Sequence, residues 1–419
     1  MNWKWMSLVC TGLFFFTAGA ALADGTILDG LSPRSIGRGG TNIAFADNGA
    51  VLCDNPAAMV NIQGNTMMDL GAELMLTDFN FANPRNPAAS EFSRSPLAQV
   101  SLLRKSPGGD WAFGLGMFTP AGFGEIYDME GPFPLVGQRR YKSFGALGKF
   151  LVGGAFRLTD RLSAGATLGV GVSHVELEGP YFLQSPGPFQ ATPLMMDVQQ
   201  TGATLVWSTG FQYALTDATT VGVTYQSESR FDMAGRTAIE IPGMGRTEYD
   251  SSLDITWPQT VGLGVRHELC PYRTLAVDVI WTGWSNAFDD LGLHLRNPTT
   301  VGFPELDEQL PLRWRDSVST RVGYERRFDH GRVVRLGYVH HRNPIPHGTL
   351  TPYIQAILEH AFSAGYGCVW RDWNLDLAYM YSFGPVQHVD VSDFLGGDFS
   401  QSAHRAQSHC IALSFMKQY

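Results

Sequence analysis

From Thr66 onward the chain alternates apolar residues with small or polar ones at a period of two, and its connections alternate between short and long. Along residues 162–174, Leu162, Ala164, Ala166, Leu168, Val170 and Val172 share one parity, while Ser163, Gly165, Thr167, Gly169, Gly171 and Ser173 take the other. Period two puts these sets on opposite faces of a strand, one suited to lipid and one to a crowded or wet interior. The same pattern runs through residues 66–77, where Met68, Leu70, Ala72, Leu74 and Leu76 oppose Asp69 and Glu73, and through 203–211, 275–281, 318–324 and 373–381. Further candidates at 97–104, 111–119, 143–157, 220–226, 253–266, 332–341, 359–370 and 402–419 bring the count to fourteen, an even number as bacterial barrels require.

Short polar turns fall at residues 106–110, 158–161, 216–218, 269–271, 329–331 and 371–372, and long connections at 79–96, 120–141, 177–200, 228–252, 285–315, 342–358 and 384–403. A sandwich has no reason to gather every long loop at one end, whereas an outer-membrane barrel has short periplasmic turns and long external loops. The 47 glycines and 16% charged residues suit such a wall, and no Pro/Ser-rich linker divides the chain into domains. Lys4, the apolar run of residues 6–21 and the ending Ala21-Leu22-Ala23 predict a secretory signal over residues 1–23, with Asp24 as the first mature residue. No later stretch reaches the ~20 apolar residues of a spanning helix, so membrane crossing falls to strands. A formal net charge of −9 argues against nucleic acid as a partner. Cys53, Cys270, Cys368 and Cys410 lack metal-ligand spacing. A Cys53–Cys410 bridge is one reading, needing Cα atoms within ~7 Å, and free thiols are the other.

Residues 24–64 do not fit the wall. The segment is rich in glycine, has neither helical nor strand period, and cannot build a core of its own, so something else must hold it. The expected architecture is therefore all-β: a fourteen-stranded antiparallel transmembrane barrel over residues 65–419, plugged by a small N-terminal hatch.

The motifs Gly37-Arg38-Gly39-Gly40, Ala46-Asp47 and Asn55-Pro56-Ala57 resemble the N-terminal signature of the FadL/TodX family, outer-membrane transporters for long-chain fatty acids and aromatic hydrocarbons. Residues 257–260, 278–285, and Trp314-Arg315-Asp316 through Tyr324 to Leu336-Gly337-Tyr338 resemble later blocks of the same family. Ala58, where a glycine commonly follows the tripeptide, and Pro344-Ile345-Pro346-His347, less acidic than the family leads one to expect, depart from it. The resemblance implies a plugged fourteen-stranded barrel whose third strand is kinked and opens sideways. Gly37, Gly39, Gly40, Asn55, Pro56 and Ala57 would be hatch and gating residues, with Asn55 bonding the backbone freed at the kink. Gly114 and Gly116, inside the third strand, would mark the lateral opening, or simply make room for the plug.

Apolar clusters in two long connections are candidates for ligand capture: Phe182, Leu183, Phe189, Leu194 and Met195 in one, and Met233, Ile239, Ile241 and Met244 in the other. Packing of the two loops on each other is the alternative. His340 and His341 are adjacent on a strand and point to opposite faces, and no nucleophile elbow, metal motif or phosphate loop appears, so no catalytic residue, metal or cofactor is expected. Passive uptake of a hydrophobic molecule is the expectation. The rivals are a barrel enzyme acting on lipids, which would need a Ser/His or Asp/His set, and an adhesin, which would not need a plug. The expected partners are a hydrophobic ligand, outer-membrane lipid and lipopolysaccharide, and the barrel-assembly machinery, which reads a terminal aromatic such as Tyr419. A monomer is expected.

Overall fold

A computed structural model describes residues 26–87, 89–396 and 399–419. The expected signal over residues 1–23 and the terminus at Asp24 lie outside these residues. Among the described residues nineteen strands are present: β1 (Thr66–Ala82), β2 (Ala89–Lys105), β3 (Trp111–Glu130), β4 (Gln138–Arg157), β5 (Leu162–Phe182), β6 (Pro193–Thr216), β7 (Thr219–Gln226), β8 (Ser229–Ile241), β9 (Gly245–Trp257), β10 (Thr260–Cys270), β11 (Arg273–Thr282), β12 (Asp290–Arg296), β13 (Leu306–Pro311), β14 (Ser317–Arg327), β15 (Val333–His340), β16 (His360–Trp370), β17 (Trp373–Phe383), β18 (Gln387–Val389) and β19 (Ser402–Gln418).

Fourteen of them close an antiparallel barrel, as the parity predicts, in the order β1–β7, β10, β11, β14–β17 and β19. The ring is sealed by β1 on β19, from Met67 opposite Gln418 to Ala82 opposite Ala403. Leu70, Leu102, Leu168, Leu263, Leu377 and Leu413 are among the exposed apolar side chains of the outer face. They replace a soluble protein's polar surface with one that lipid can cover. Tyr338, Phe362, Phe383 and Tyr381 form an aromatic cluster on that face, while Trp111, Phe156, Tyr272 and Trp370 are exposed near the short turns.

Most of the expected long loops are themselves strand. β1 and β2 extend to Ala82 and from Ala89, β3 and β4 to Glu130 and from Gln138, and residues 228–252 form the β8/β9 hairpin. These hairpins rise past the barrel into an external sheet, in which the upper part of β6 pairs β8, then β8 pairs β9, β9 pairs β12 and β12 pairs β13. The sheet curls back on itself through Glu308, whose carboxylate accepts from Tyr181 Oη at 2.9 Å and from the Gln184 amide. Burial, with Glu308 beside it, holds the Tyr181 phenol well above the usual tyrosine range. The curl encloses an apolar core containing Tyr181, Leu194, Phe231, Met233, Leu253 and Leu293.

The N-terminal segment lies inside the barrel, where Leu28, Ile36, Val51, Leu52 and Met59 pack with wall residues such as Met75, Leu103, Leu151 and Met380 in a second core. Helix α1 (Pro33–Gly37) starts where Ser32 and Ser35 satisfy each other's free amides in a capping box, with Pro33 at the first position. Helix α2 (Val51–Asp54) and a tighter 3-10 turn, Pro56–Asn61, follow. Asn55 caps that turn by accepting from the Ala57 amide. Cys53, Cys270, Cys368 and Cys410 are all free thiols, so the Cys53–Cys410 bridge is not formed.

Candidate functional site

The hatch is tied to the wall by charge. Arg38, fully buried, grips Asp47 through two contacts at 2.7 and 3.1 Å and reaches Glu325 on β14 at 3.3 Å. Arg335 on β15 joins that Glu325 at 2.8 Å to Asp376 on β17 at 2.7 Å, and Arg34 of α1 binds the other oxygen of Asp376 at 2.7 Å. Three guanidinium groups thus face three carboxylates, and each buried charge has an opposite partner. Further contacts pin hatch backbone to wall carboxylates: Asp278 accepts from the amides of Asn42 and Ile43, and Asp69 from that of Gly49. Arg321 reaches back to Asp29 at 3.0 Å. None of these wall carboxylates stands out as a hatch ligand in the sequence, although each lies on the inward parity of its strand, opposite the lipid-facing side chains.

The hatch glycines meet the wall directly. Gly39 has φ +64° and donates its amide to Ser363 Oγ at 3.0 Å, and a Cβ on Gly337 of β15 would lie 1.9 Å from its nitrogen. Gly37 packs on Gly365 of β16, and Gly40 packs on Asp29 and Arg321. Only backbone fits between hatch and wall there. Asn55-Pro56-Ala57 lies against β5–β7 rather than beside the third strand. Asn55 Nδ2 donates to Ile43 O at 2.8 Å and Phe211 O at 3.1 Å, and Gly165 and Gly210 leave room for the tripeptide.

The wall does break on β3, but not at the predicted glycines. Gly114 and Gly116 sit in regular register between Leu103 and Ser101 of β2 and Gly153 and Leu151 of β4. A Cβ on Gly114 would strike Met59 and approach Leu52 of the hatch, so that glycine makes room for the plug. The register slips between Phe118 and Ala121, around Pro120, which has no amide to give the ladder. Pairing of β3 with β2 ends at Met117 opposite Val100, while β2 continues along β1 as far as Ala89. Beyond the slip the freed edge of β3 is taken by the start of the described chain: Leu28 N donates to Pro120 O at 3.0 Å and Gly122 N to Thr26 O at 2.9 Å, with Ile27 bridging Ala121.

A cavity of about 80 Å³ opens behind this break. Ile27, Leu28, Pro120, Ala121, Leu147 and Trp257 give it an apolar side, and Lys149, Asp54, Gln226 and Arg321 a polar one. Lys149 Nζ donates to Gln226 Oε1 at 3.1 Å and has no ion pair among the described residues, whereas Arg321 is held by Asp29. A second pocket, of about 40 Å³, lies in the external core between Leu177, Tyr181, Met196, Leu291, Tyr353 and Phe394. Both are smaller than the roughly 150 Å³ cavity that takes up benzene in a protein core, so a guest requires side chains to part.

The expected capture residues divide between core and surface. Leu183, Leu194, Met233 and Ile239 are buried in the external core, Phe182, Met195 and Ile241 are half-buried, and Phe189 and Met244 are exposed. The external pocket draws on Leu177, Tyr181 and Met196 of β5 and β6 rather than on the five residues expected of the first cluster, and its other walls come from β12, β13 and the segments around Tyr353 and Phe394. Among the described residues no cluster of His, Cys, Asp and Glu is arranged to hold a metal ion.

The family model for outer membrane transport proteins (OMPP1/FadL/TodX) matches residues 14–419. Among solved structures, the toluene transporter TodX of Pseudomonas putida superposes with a TM-score of 0.76 at 18% identity, over 94% of this chain and 99% of that one. A FadL homologue of Pseudomonas aeruginosa gives 0.74 at 18% identity over the same shares, and the toluene transporter TbuX of Ralstonia pickettii gives 0.73 at 18% over 93% and 99%. No curated protein matches the sequence.

Proposed function

Because the chain belongs to the OMPP1/FadL/TodX family of outer-membrane transport proteins, we propose that it takes up hydrophobic small molecules passively and releases them sideways into the membrane through the break in β3. Cargo enters the external pocket, passes to the cavity above the hatch and leaves between β2 and β3. The observation that carries this reading is the coincidence of cavity and break: Pro120 and Ala121, at the slip in β3, line the cavity. An apolar cargo gains nothing by release into water, and a side exit into lipid avoids that cost. A freed strand edge is tolerated at membrane depth only where protein or a cavity covers it, and here Thr26–Leu28 cover it. The three-by-three charge network, which fixes the hatch, supports passage around the plug rather than its expulsion.

The cavity's two-sided lining favours a cargo with an apolar body and an anionic head, such as a long-chain fatty acid, over a plain hydrocarbon. Lys149 is placed to receive the head. The exit is tested by pairing Ile27→Cys with Ala121→Cys, opposite each other across the bridge. Oxidation of the pair abolishes uptake of a fluorescent fatty-acid analogue by whole cells, and reductant restores it, while surface binding persists and each single variant under the same oxidant transports normally. Full uptake by the oxidised pair refutes a lateral exit at this place.

A further inference from the structure

Between β15 and β16 the chain runs through residues 342–358 outside the paired strands of the barrel. Around the fourteen-strand ring β15 and β16 are eleventh and twelfth, and β3 to β5 are third to fifth, so the contacts of this strap with β3–β5 cross the full mouth of the barrel. Leu350, Ala356, Ile357 and Leu358 are buried on it. Hydrogen bonds tie its far side to the opposite wall. Tyr353 Oη donates to Pro180 O on β5 at 3.0 Å, Gln355 N donates to Glu125 Oε1 on β3 at 3.0 Å, and Gln355 Nε2 donates to Tyr127 Oη at 2.8 Å.

Resting on the transport reading above, we infer that Glu125 and Gln355 are positioning residues for passage: their hydrogen bonds hold the strap across the mouth as the partition between the external pocket and the inner cavity. Three neighbouring residues of the strap, Thr351, Tyr353 and Ile354, line the external pocket. The next residue, Gln355, is bonded to the same β3 whose Pro120 and Ala121 line the inner cavity. Cargo pressing into the external pocket therefore acts on a segment fastened to the strand that carries the exit. A buried carboxyl in an apolar surround is costly unless its bonds are needed, and Glu125 is 3% exposed. The junction is also under-satisfied: Glu125 Oε2 and Gln355 Oε1 are buried acceptors with no donor among the described residues. That places it toward the low-stability end of the fold, where moving parts are found.

The test is the rate at which a small maleimide labels Cys53, a free thiol lining the inner cavity, in the assembled full chain, read peptide by peptide by mass spectrometry. Glu125→Leu removes the acceptor and raises that rate roughly tenfold, the population change that one lost hydrogen bond produces. Glu125→Gln retains Oε1 as an acceptor and stays at the wild-type rate, which loss of general packing would not predict. Wild-type labelling in an assembled Glu125→Leu barrel, or equally fast labelling of Glu125→Gln, overturns the inference. If Glu125→Leu does not assemble, the double change Tyr127→Phe and Tyr353→Phe removes only two hydroxyl groups and labels faster in the same assay; an unchanged rate in that variant overturns the inference too. Uptake of the fatty-acid analogue into vesicles is measured separately. Its absence in the wild type refutes transport without altering what labelling says of the strap.

Discussion

Replacing Asp376 by Ala strips the counter-charge from two buried arginines at once, because Arg34 Nε and Arg335 Nη1 each bind one of its oxygens at 2.7 Å. Its side chain is 1% exposed and those of Arg34 and Arg335 are 14% and 2% exposed, so water does not readily take its place. Removing one partner of a buried ion pair costs about 3–5 kcal/mol. Arg335 keeps Glu325 at 2.8 Å and Arg34 keeps the carbonyl of Asp47 at 2.8 Å, which puts the cost at the lower end, about 3 kcal/mol. The loss falls on the docking of α1 rather than on the β17 ladder, whose backbone pairing with β16 and β19 is unaltered. Hydrogen exchange followed by mass spectrometry, on protein in detergent, reads this directly. The amides of Ile36, Gly39 and Gly40, bonded within the hatch and to Ser363, exchange about a hundredfold faster in the variant if hatch release is a local opening below global unfolding. The barrel still shifts on unheated gels. Unchanged protection at these amides in an assembled barrel would refute the claim that the ion network holds the hatch.

Lys149→Met, which keeps most of the length of the side chain and removes its charge, lowers uptake of a fatty-acid analogue relative to that of its uncharged alcohol; equal loss of both would remove Lys149 from head-group recognition. The external β12–β13 hairpin should be most stable in mildly acidic solution. A hydrogen bond to Asp307 raises the His294 pKa above its ordinary 6.5, so that contribution is complete below about 6.5 and fades as pH rises through the raised value, while the same bond lowers Asp307 from 3.8 and its contribution fades only as pH falls through the lowered value. Hydrogen exchange of β12–β13 amides, corrected for intrinsic rates, should show this plateau, and His294→Gln should flatten its alkaline side; a flat wild-type profile would refute it.

The barrel is legible in the sequence because membrane and interior impose opposite demands on alternate residues: in β5, Ala166, Leu168 and Val170 are exposed outward and Ser163, Thr167 and Ser173 are buried inward. The external strands read as loops because their outer face meets water. In β8, Phe231, Met233 and Ile239 are buried while Arg230, Asp232 and Glu240 are exposed, an alternation that charge and connection length disguise. For the break in β3 the glycine pattern points to the right strand through the wrong residues: Gly114 and Gly116 draw attention, yet Pro120 supplies the irregularity. The hatch contacts leave no local trace. Arg34 and Asp376 are 342 residues apart, and only closure of the ring makes them neighbours.

That closure orders events in time. The hatch precedes β1 in the chain, and the seam that traps it joins β1 to β19, whose partners lie more than three hundred residues apart in sequence. Contacts that distant form late, because the entropy of the intervening chain must be lost first. Until the seam zips, β14, β15 and β17 curve around an unsealed space, and Glu325, Arg335 and Asp376 have no enclosed plug to neutralise. The plug must therefore be in place before the last strand docks. A nascent barrel that seals without it would confine unmatched charges in its lumen, making the seam a checkpoint on whether the hatch has been threaded.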